Sequence, residues 1–334
     1  TEMREKIKKI PPLVKNIADT LIKAGFEAYF VGGCVRSLAL HMKPRDWDIT
    51  TNAKPEEIQK LFPHSVYENK YGTVGVISDT DDETLRVVEI TPYRLESSYS
   101  DKRRPDEVRF TLNIEEDLKR RDFTINAMAL ALPADKAGEP RKNGEDLSAD
   151  EAGYELIDLF SGQEDLGEKI IRAVGEPSNR FNEDALRILR AVRLAAELGF
   201  EIEMETKNAI KKHAAHLEKI AQERIHDEFV KIIMSERAKE GIELMHETGI
   251  LKYIMPELEE GIGVEQNKAH SFTVWEHNLK SLEYAVFKKW PLEIRLAALL
   301  HDIAKPATRK WGEEKVDWTF YGHDVVGAKM AAKM

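Results

Sequence analysis

The chain has 334 residues, 42% of them apolar and 33% charged, with 50 Lys and Arg against 60 Asp and Glu for a net charge of −10. That composition fits a globular protein of two or three domains with ample material for buried cores. It excludes a membrane protein, since no apolar run approaches the ~18 residues of a spanning helix, and TEMREKIKKI is too charged to head a signal peptide. The single cysteine, Cys34, excludes an internal disulfide and fits a reducing, cytoplasmic compartment, where its neighbours mark it as a small packing residue. The net charge weighs mildly against a nucleic-acid partner, although a basic groove can sit on an acidic body.

Residues 4–25 read as an amphipathic helix stopped by Gly25. EAYFVGG is a buried strand running into a tight turn, VRSLALHM a helix closed near Pro44, RDWDIT a second strand, and KPEEIQKLFP a helix with proline at both ends. TVGVIS and TLRVVEITPYR alternate apolar residues at period two, as paired strands do. YSDKRRPDEVRF reads as an exposed charged loop, NIEEDLKRRDFTINAMALAL as a helix that runs on into an apolar stretch, residues 135–153 as a polar insertion, and YELIDLF as a strand. After about residue 160 nearly everything has helical period. The fold class is therefore α+β: a mixed α/β head over 1–160, then a helical body. The last residues, DVVGAKMAAKM, read as a helix cut off midway, so the chain is expected to continue past residue 334.

The chemistry of the head concentrates in VGGCVRSLALHMKPRDWDITT. Asp46 and Asp48 stand two apart on a predicted strand and so project from one face. Side-by-side carboxylates repel unless a cation or a shared proton lies between them. Mg²⁺ suits such a pair, because it takes oxygen ligands from one or two carboxylates and from substrate phosphates. Two such ions ~3.5–4 Å apart would stabilise the attacking and leaving oxygens of a phosphoryl transfer. The Gly32-Gly33 turn opens a helix and offers backbone N–H groups to an anion, with Arg36 within reach. A second polar stretch, RRDFTINAMA, supplies Arg120 and Arg121 as forked donors for phosphate, and Asp122 and Asn126 for ribose hydroxyls. Glu89, in RVVEIT, is either a third carboxylate or an edge-strand charge.

In the body, RFNEDALRILRAVRLAAELGF reads as one helix with acids near its start. Asp184 and Arg187 are three apart on one face, which on spacing alone is an ion pair worth a few tenths of a kcal/mol. Hydrogen-bond complementarity gives a sharper reading. Cytosine and adenine each present an amino donor beside a ring-nitrogen acceptor; a carboxylate accepts and a guanidinium donates. Such a pair suits C or A and leaves U and G with groups of the wrong sense. Basic runs such as KNAIKKHAAHLEK are candidate RNA contacts. Further on, VWEHNLKSLEYA, LAALLHDIAKP and YGHDVVGAKM place His277, His301, Asp302, His323 and Asp324 on predicted helices. An adjacent His-Asp after an apolar run calls for a partner, which a metal provides.

GGCVRSLAL, RDWDITT, YSDKRRPDEV and RRDFTINAMA, in that order, resemble the head motifs of the class II tRNA nucleotidyltransferases, the CCA-adding enzymes and bacterial poly(A) polymerases of the polymerase β superfamily. The resemblance implies a nucleotidyltransferase head over 1–160 with Asp46 and Asp48 as the catalytic carboxylates and two Mg²⁺. It implies a neck and body over 161–262 in which Glu183, Asp184 and Arg187 match the EDxxR motif by which the family reads CTP and ATP, with Arg190 a further nucleotide-binding candidate. It also implies tRNA as the partner, held by backbone and shape. Ser37 stands where the family usually has aspartate. RLESSYSDKRRPDEV occupies the place of the flexible loop that enzymes adding only CC tend to lack, so CCA or terminal-A addition is expected. HDIAKP resembles an HD-type metal phosphohydrolase, implying a third segment over 263–334 with His277, His301, Asp302 and His323 around a divalent metal and a last aspartate beyond residue 334. The alternatives are a poly(A) polymerase of the same family and a phosphohydrolase whose head only binds nucleotide. A homodimer through the body is a further candidate arrangement.

Overall fold

The computed structural model describes residues 9–67, 72–96, 108–131, 155–268 and 271–334. The N-terminal part of the first expected helix, the loop over 97–107 and the polar insertion lie outside these residues. The chain falls into two compact units, one ending at Glu176 and the other beginning at Pro177. Among the described residues no helix is long and apolar enough to cross a membrane.

Among the described residues the first unit opens with α1 (Pro12–Lys23), and residues 9–11 interrupt the single helix expected over residues 4–25. Pro11 and Pro12 explain the interruption: proline lacks the N–H a helix interior needs but fits a helix's first position. Gly25, at φ +91°, ends it as expected. There follow β1 (Ala28–Val31), α2 (Gly33–Ala39), β2 (Asp48–Thr51), α3 (Pro55–Leu61), β3 (Ser65–Tyr67), β4 (Val74–Ile77) and β5 (Val87–Pro92). Next come β6 (Arg94–Glu96), β7 (Val108–Phe110), α4 (Ile114–Lys119), a single 3₁₀ turn at Thr124–Asn126, β8 (Met128–Ala131), β9 (Glu155–Asp158) and α5 (Gly162–Glu168). Seven strands form one sheet in the order β3-β4-β5-β2-β1-β8-β9. It is mixed, because β2 and β5 run parallel and the other pairs antiparallel. The expected exposed loop YSDKRRPDEVRF ends differently: Val108–Phe110 pairs with Arg94–Glu96 as a separate ribbon. Leu118 of α4 is fully buried against Val31 and Ala129 of the sheet, with Ile114, Tyr29 and Ile157 around them. That packing holds the C-terminal end of α4, and so the RRDF segment, beside the β1–α2 turn.

The second unit is helical. Its spine is α7 (Leu186–Leu198), preceded by α6 (Pro177–Glu183) and followed by α8 (Met204–His213), α9 (Gln222–Met234) and α10 (Ala238–Glu247). Ile188, Leu189, Val192 and Leu194 are fully buried along α7. The long helix expected over RFNEDALRILRAVRLAAELGF is broken at Asp184 and Ala185. There the Asp184 carboxylate accepts the Leu186 N–H at 3.0 Å, competing with the backbone pattern as short acidic side chains do. After two short helices, α11 (Leu251–Ile254) and α12 (Pro256–Glu259), come α13 (Val274–Phe287), α14 (Leu292–Leu300) and α15 (Lys305–Thr308). A hairpin follows, β10 (Lys310–Gly312) with β11 (Asp317–Thr319), and then α16 (His323–Ala331). Arg295 of α14 is buried and donates to the Ile233 and Ser235 carbonyls at 3.0 Å, satisfying the end of α9 and tying the two helices together. The hairpin is a correction to the all-helical expectation. Its strands are three residues each, too short for alternation to register, and a Trp311–Trp318 cross-strand pair supports them.

Candidate functional site

Only one of the two head aspartates lies on the expected strand. β2 begins at Asp48; Asp46 sits in the bend just before it, and Trp47 between them is buried. Alternation nonetheless turns both carboxylates toward the glycine pair. A Cβ built on Gly33 would lie 3.6 Å from Asp46 Oδ1 and 3.7 Å from Arg36 Nη2. One built on Gly32 would lie 3.2 Å from Arg121 Nη1 and 3.6 Å from Asp48 Oδ2. Two carboxylates and two guanidiniums thus converge on a turn that has no side chain of its own. Gly32, at φ +71° and ψ −133°, also holds a conformation that suits glycine. Glu89 is the register partner of Asp48 across the parallel β2–β5 pair. Among the described residues, Asp46, Asp48 and Glu89 do not bring three ligand atoms within 4.8 Å of one another. The donors are all oxygen, and two carboxylates beside an open cradle fit a hard cation that completes its shell with phosphate oxygens and water. Cys34 lies under this turn, donating to Val31 O, and burial pushes its thiol up to about 12.

The RRDF segment contributes one donor directly and several supports. Arg121 reaches Gly32 and also holds Asp117 Oδ2 at 3.2 Å. Arg120 donates to Asp117 Oδ1 at 2.6 and 3.0 Å, so its guanidinium is engaged within α4. Asp117 is fully buried and also accepts the Arg94 N–H. Its burial favours the neutral acid, but the neighbouring guanidiniums of Arg120 and Arg121 outweigh that and hold its pKa below the usual carboxylate range. Sequence reading missed Asp117, although its spacing to Arg120 and Arg121, three and four residues on, was the available signal. Asp122 and Asn126 are both buried. Asn126 donates to Asp122 Oδ1 at 3.2 Å and accepts from Arg36, so one chain of bonds runs from the 3₁₀ turn to α2. Thr124 donates to buried Asp165 at 2.6 Å, and Gly162 packs so tightly that an added Cβ would meet Thr124 O at 2.4 Å. Asp158 caps the same helix, accepting the Gly162 and Gln163 N–H groups.

In the second unit Asp184 receives Arg224 Nη2 at 2.7 Å, a partner 40 residues away that spacing could not reveal. Arg187 is buried and donates to Glu183 at 2.9 Å. Arg190 Nη1 lies 4.0 Å from Glu228, which Arg193 holds at 3.0 Å. Asp184, Arg187 and Arg190 therefore belong to a ladder of acids and guanidiniums along the start of α7.

The His and Asp residues of the C-terminal segment come together. His277 Nε2 and His301 Nε2 are 3.0 Å apart, and both approach Asp302 Oδ2, at 3.4 and 3.3 Å. His323 Nε2 lies 3.4 Å from Asp302 Oδ1. His301 and His323 give their Nδ1 hydrogens to the Ala298 and Phe320 carbonyls, which frees each Nε2 to face inward. His301 and Asp302 do not continue α14 as expected, because Pro306 forces the helix to stop and restart. Among the described residues, His277, His301 and Asp302 are the one group of three whose His and acidic ligand atoms lie within 4.8 Å of one another, with His323 on the other Asp302 oxygen. The imidazole and carboxylate donors suit a transition-metal or zinc-like ion. Lys305, missed in the sequence, sits 2.7 Å from Asp302 and competes for that charge. Burial raises the Asp302 pKa, but hydrogen bonds from His301 and Lys305 depress it further, well below the ordinary range.

Residues 28–172 match the family described as poly A polymerase head domain, residues 199–262 the "Probable RNA and SrmB- binding site of polymerase A", and residues 269–334 the HD domain. The CCA-adding enzyme of Lactococcus lactis subsp. lactis is 38% identical over 314 residues, 89% of this chain and 73% of that protein. That of Ligilactobacillus salivarius is 44% identical over 250 residues, 75% of this chain and 55% of that protein. The chain spans little more than half the length of several curated relatives it matches. The crystal structure of the Bacillus stearothermophilus CCA-adding enzyme in complex with CTP superposes with a TM-score of 0.63 at 29% identity, covering 92% of this chain and 74% of that one. Nucleotidyltransferase heads and HD domains are generally metal-dependent. With an α+β head, a polymerase-A-type RNA-binding segment and an HD domain in this order, the chain belongs to the family of CCA-adding enzymes, a family of nucleotidyltransferases.

Proposed function

We propose that the chain adds CCA, or its terminal A, to tRNA 3′ ends from CTP and ATP, releasing pyrophosphate, in a cytoplasmic setting. The observation that carries this reading is the convergence of Asp46, Asp48, Arg36 and Arg121 on the Gly32-Gly33 turn. Two carboxylates with no intervening side chain and two flanking guanidiniums suit a cation and a triphosphate together. We propose two Mg²⁺ ions held by Asp46 and Asp48, with Glu89 as a supporting carboxylate; bound there, they supply charge for the attacking and leaving oxygens. Arg36 and Arg121 neutralise the phosphates, and Asp122 and Asn126 fix Arg36 and offer their remaining polar atoms to the sugar. Arg120 holds Asp117 in place, which aims Arg121. Positioning and fixed charge of this kind supply most of the acceleration in such transfers. The division of labour is a head over 1–160, a base-reading neck and body over 161–262, and an HD-type segment over 263–334. There His277, His301, Asp302 and His323 would hold a divalent metal.

The test is incorporation itself. Given tRNA ending before C74, C75 or A76, the chain is expected to extend it with C, C and A from CTP and ATP, read by sequencing the new 3′ ends. Extension of the last acceptor alone identifies terminal-A addition, a run of A identifies poly(A) synthesis, and no extension of any acceptor overturns the assignment.

Base choice gives a second expectation. Asp184→Ala and Arg187→Ala should each raise misincorporation of UTP and GTP by roughly tenfold or more, since removing one half of a hydrogen-bond pair forfeits on the order of 1–3 kcal/mol of discrimination. Retained selectivity in both variants would show that the base is read elsewhere.

A further inference from the structure

The sheet of the first unit is covered unevenly. On the face that carries Asp48, Leu118 of α4 packs on Val31 and Ala129, which closes over β1 and β8. Across β2 the same face is exposed. Glu89 is the register partner of Asp48, Gly75 of Glu89, and Val66 of Gly75, so these four residues form one row on one face. Two residues back along β5, Val87 points the same way and pairs with Ile77 of β4. Val66 is 51% exposed, Ile77 47% and Val87 39%, whereas Val74, Val76, Val88 and Ile90 on the opposite face are buried. Three branched apolar side chains and a glycine thus form a shelf that begins at Glu89, one strand away from Asp48. Branched side chains suit a strand, but on a wet face threonine meets that preference equally well.

The geometry of the transfer says what this shelf faces. In-line displacement sets the attacking and leaving oxygens on opposite sides of the phosphorus. The cradle for the triphosphate, Gly32-Gly33 with Arg121, follows directly on β1. In the sheet, β1 lies on one side of β2 and β5 on the other. With pyrophosphate leaving on the β1 side, the attacking hydroxyl comes in from the β5 side, over Glu89. The shelf also suits an acceptor end that changes. Successive additions bring a different terminal base to the same place. Val66, Ile77 and Val87 have no hydrogen-bonding side-chain groups with which to choose among bases, yet their surface gains from being covered. A protein partner seated there would instead shut the carboxylates off from substrate.

We infer that the β5–β4–β3 shelf seats the terminal nucleoside of the acceptor RNA, held by apolar contact, with its 3′-hydroxyl turned past Glu89 toward the α-phosphate at Asp46 and Asp48. The inference rests on the tRNA-extension reading above and adds where the acceptor lies. Its test is thiol protection in the full chain. Cys34, the only native cysteine, is buried and its thiol is pushed up to about 12, so an introduced exposed thiol is the one that reacts. Ile77→Cys and Val87→Cys each keep a small side chain at an exposed position, and either variant suffices. With Mg²⁺ and no nucleotide, tRNA ending at C75 is expected to slow alkylation by N-ethylmaleimide roughly tenfold. The same tRNA trimmed back to its terminal base pair should leave the rate unchanged. The alkylated variant should then extend all three acceptors more slowly, each by roughly tenfold or more. A parent chain that extends no acceptor sinks the tRNA reading and this inference with it. Where the parent does extend them, the shelf assignment alone is overturned by alkylation indifferent to the C75-ended tRNA, by equal protection from the trimmed tRNA, by protection from CTP alone, or by a loss confined to one acceptor.

Discussion

Asp48→Ala is expected to slow nucleotide incorporation by about a thousandfold or more, a loss of roughly 4 kcal/mol of transition-state stabilisation. Asp48 opens β2, and its Oδ2 is one of the two carboxylate oxygens facing the bare glycine turn. Removing it leaves Asp46 alone against Arg36 and Arg121, so the local balance turns positive and a divalent ion loses half of its protein ligands. The fold should not follow the activity down. β2 keeps its backbone pairing with β1 and β5, Trp47 and Ile49 on the buried side are untouched, and Asp48 itself is only half-buried. Single-turnover incorporation of labelled CTP, run beside hydrogen exchange of the β1 and β2 amides, separates the two effects. Asp48→Asn keeps the shape and removes the charge, and should be nearly as slow. Incorporation within tenfold of the parent in both variants would sink the assignment of this carboxylate.

Much of this site was legible in the sequence because its parts are short-range. The glycine turn, the Asp-x-Asp pair and the RRDF segment each declare themselves within ten residues, and period-two alternation in β4 and β5 announced the sheet that carries them. What escaped falls into two physical kinds. Local proline and side-chain chemistry moved element ends: Pro11 and Pro12 broke the helical pattern just before α1, Pro306 ended α14 before His301, and the Asp184 carboxylate split a helix that periodicity ran straight through. Long-range pairing supplied the rest. The bond of Asp184 to Arg224 spans 40 residues, and that of Thr124 to Asp165 spans 41. Periodicity carries no information about such pairs. The Trp311–Trp318 hairpin is intermediate: its strands are local but only three residues long, and the aromatic pair that holds it becomes a contact only once the turn forms.

The second large effect concerns a residue that no motif singled out. Asp117→Ala is expected to destabilise the head by about 3–5 kcal/mol, because deleting one partner of a buried ion pair strands the other charges. Two guanidiniums, Arg120 and Arg121, and the Arg94 N–H meet on this one fully buried carboxylate. Hydrogen-exchange protection of the β1 and β8 amides, which report this unit by itself, should fall by about two to three orders of magnitude. Asp117→Asn keeps the volume and separates the charge from the packing, and its deficit should depend on pH. The folded pKa of Asp117 is depressed, so its contribution is complete above the unfolded value of about 3.9 and is lost as pH falls through the lower folded value. The gap between parent and Asp117→Asn should therefore be widest near neutrality and close in acid. A gap that does not change between pH 7 and pH 3 would mean that the carboxylate acts through shape alone. Activity adds a separate readout. Arg121 spans from Asp117 to the Gly32 cradle, so without its anchor it should lose aim before the fold is lost. At a temperature where Asp117→Asn remains folded, KM for CTP should rise while Asp48→Ala acts chiefly on the rate of the chemical step. The two carboxylates, one exposed to substrate and one buried behind an arginine, would thereby separate catalysis from positioning within one short stretch of the head.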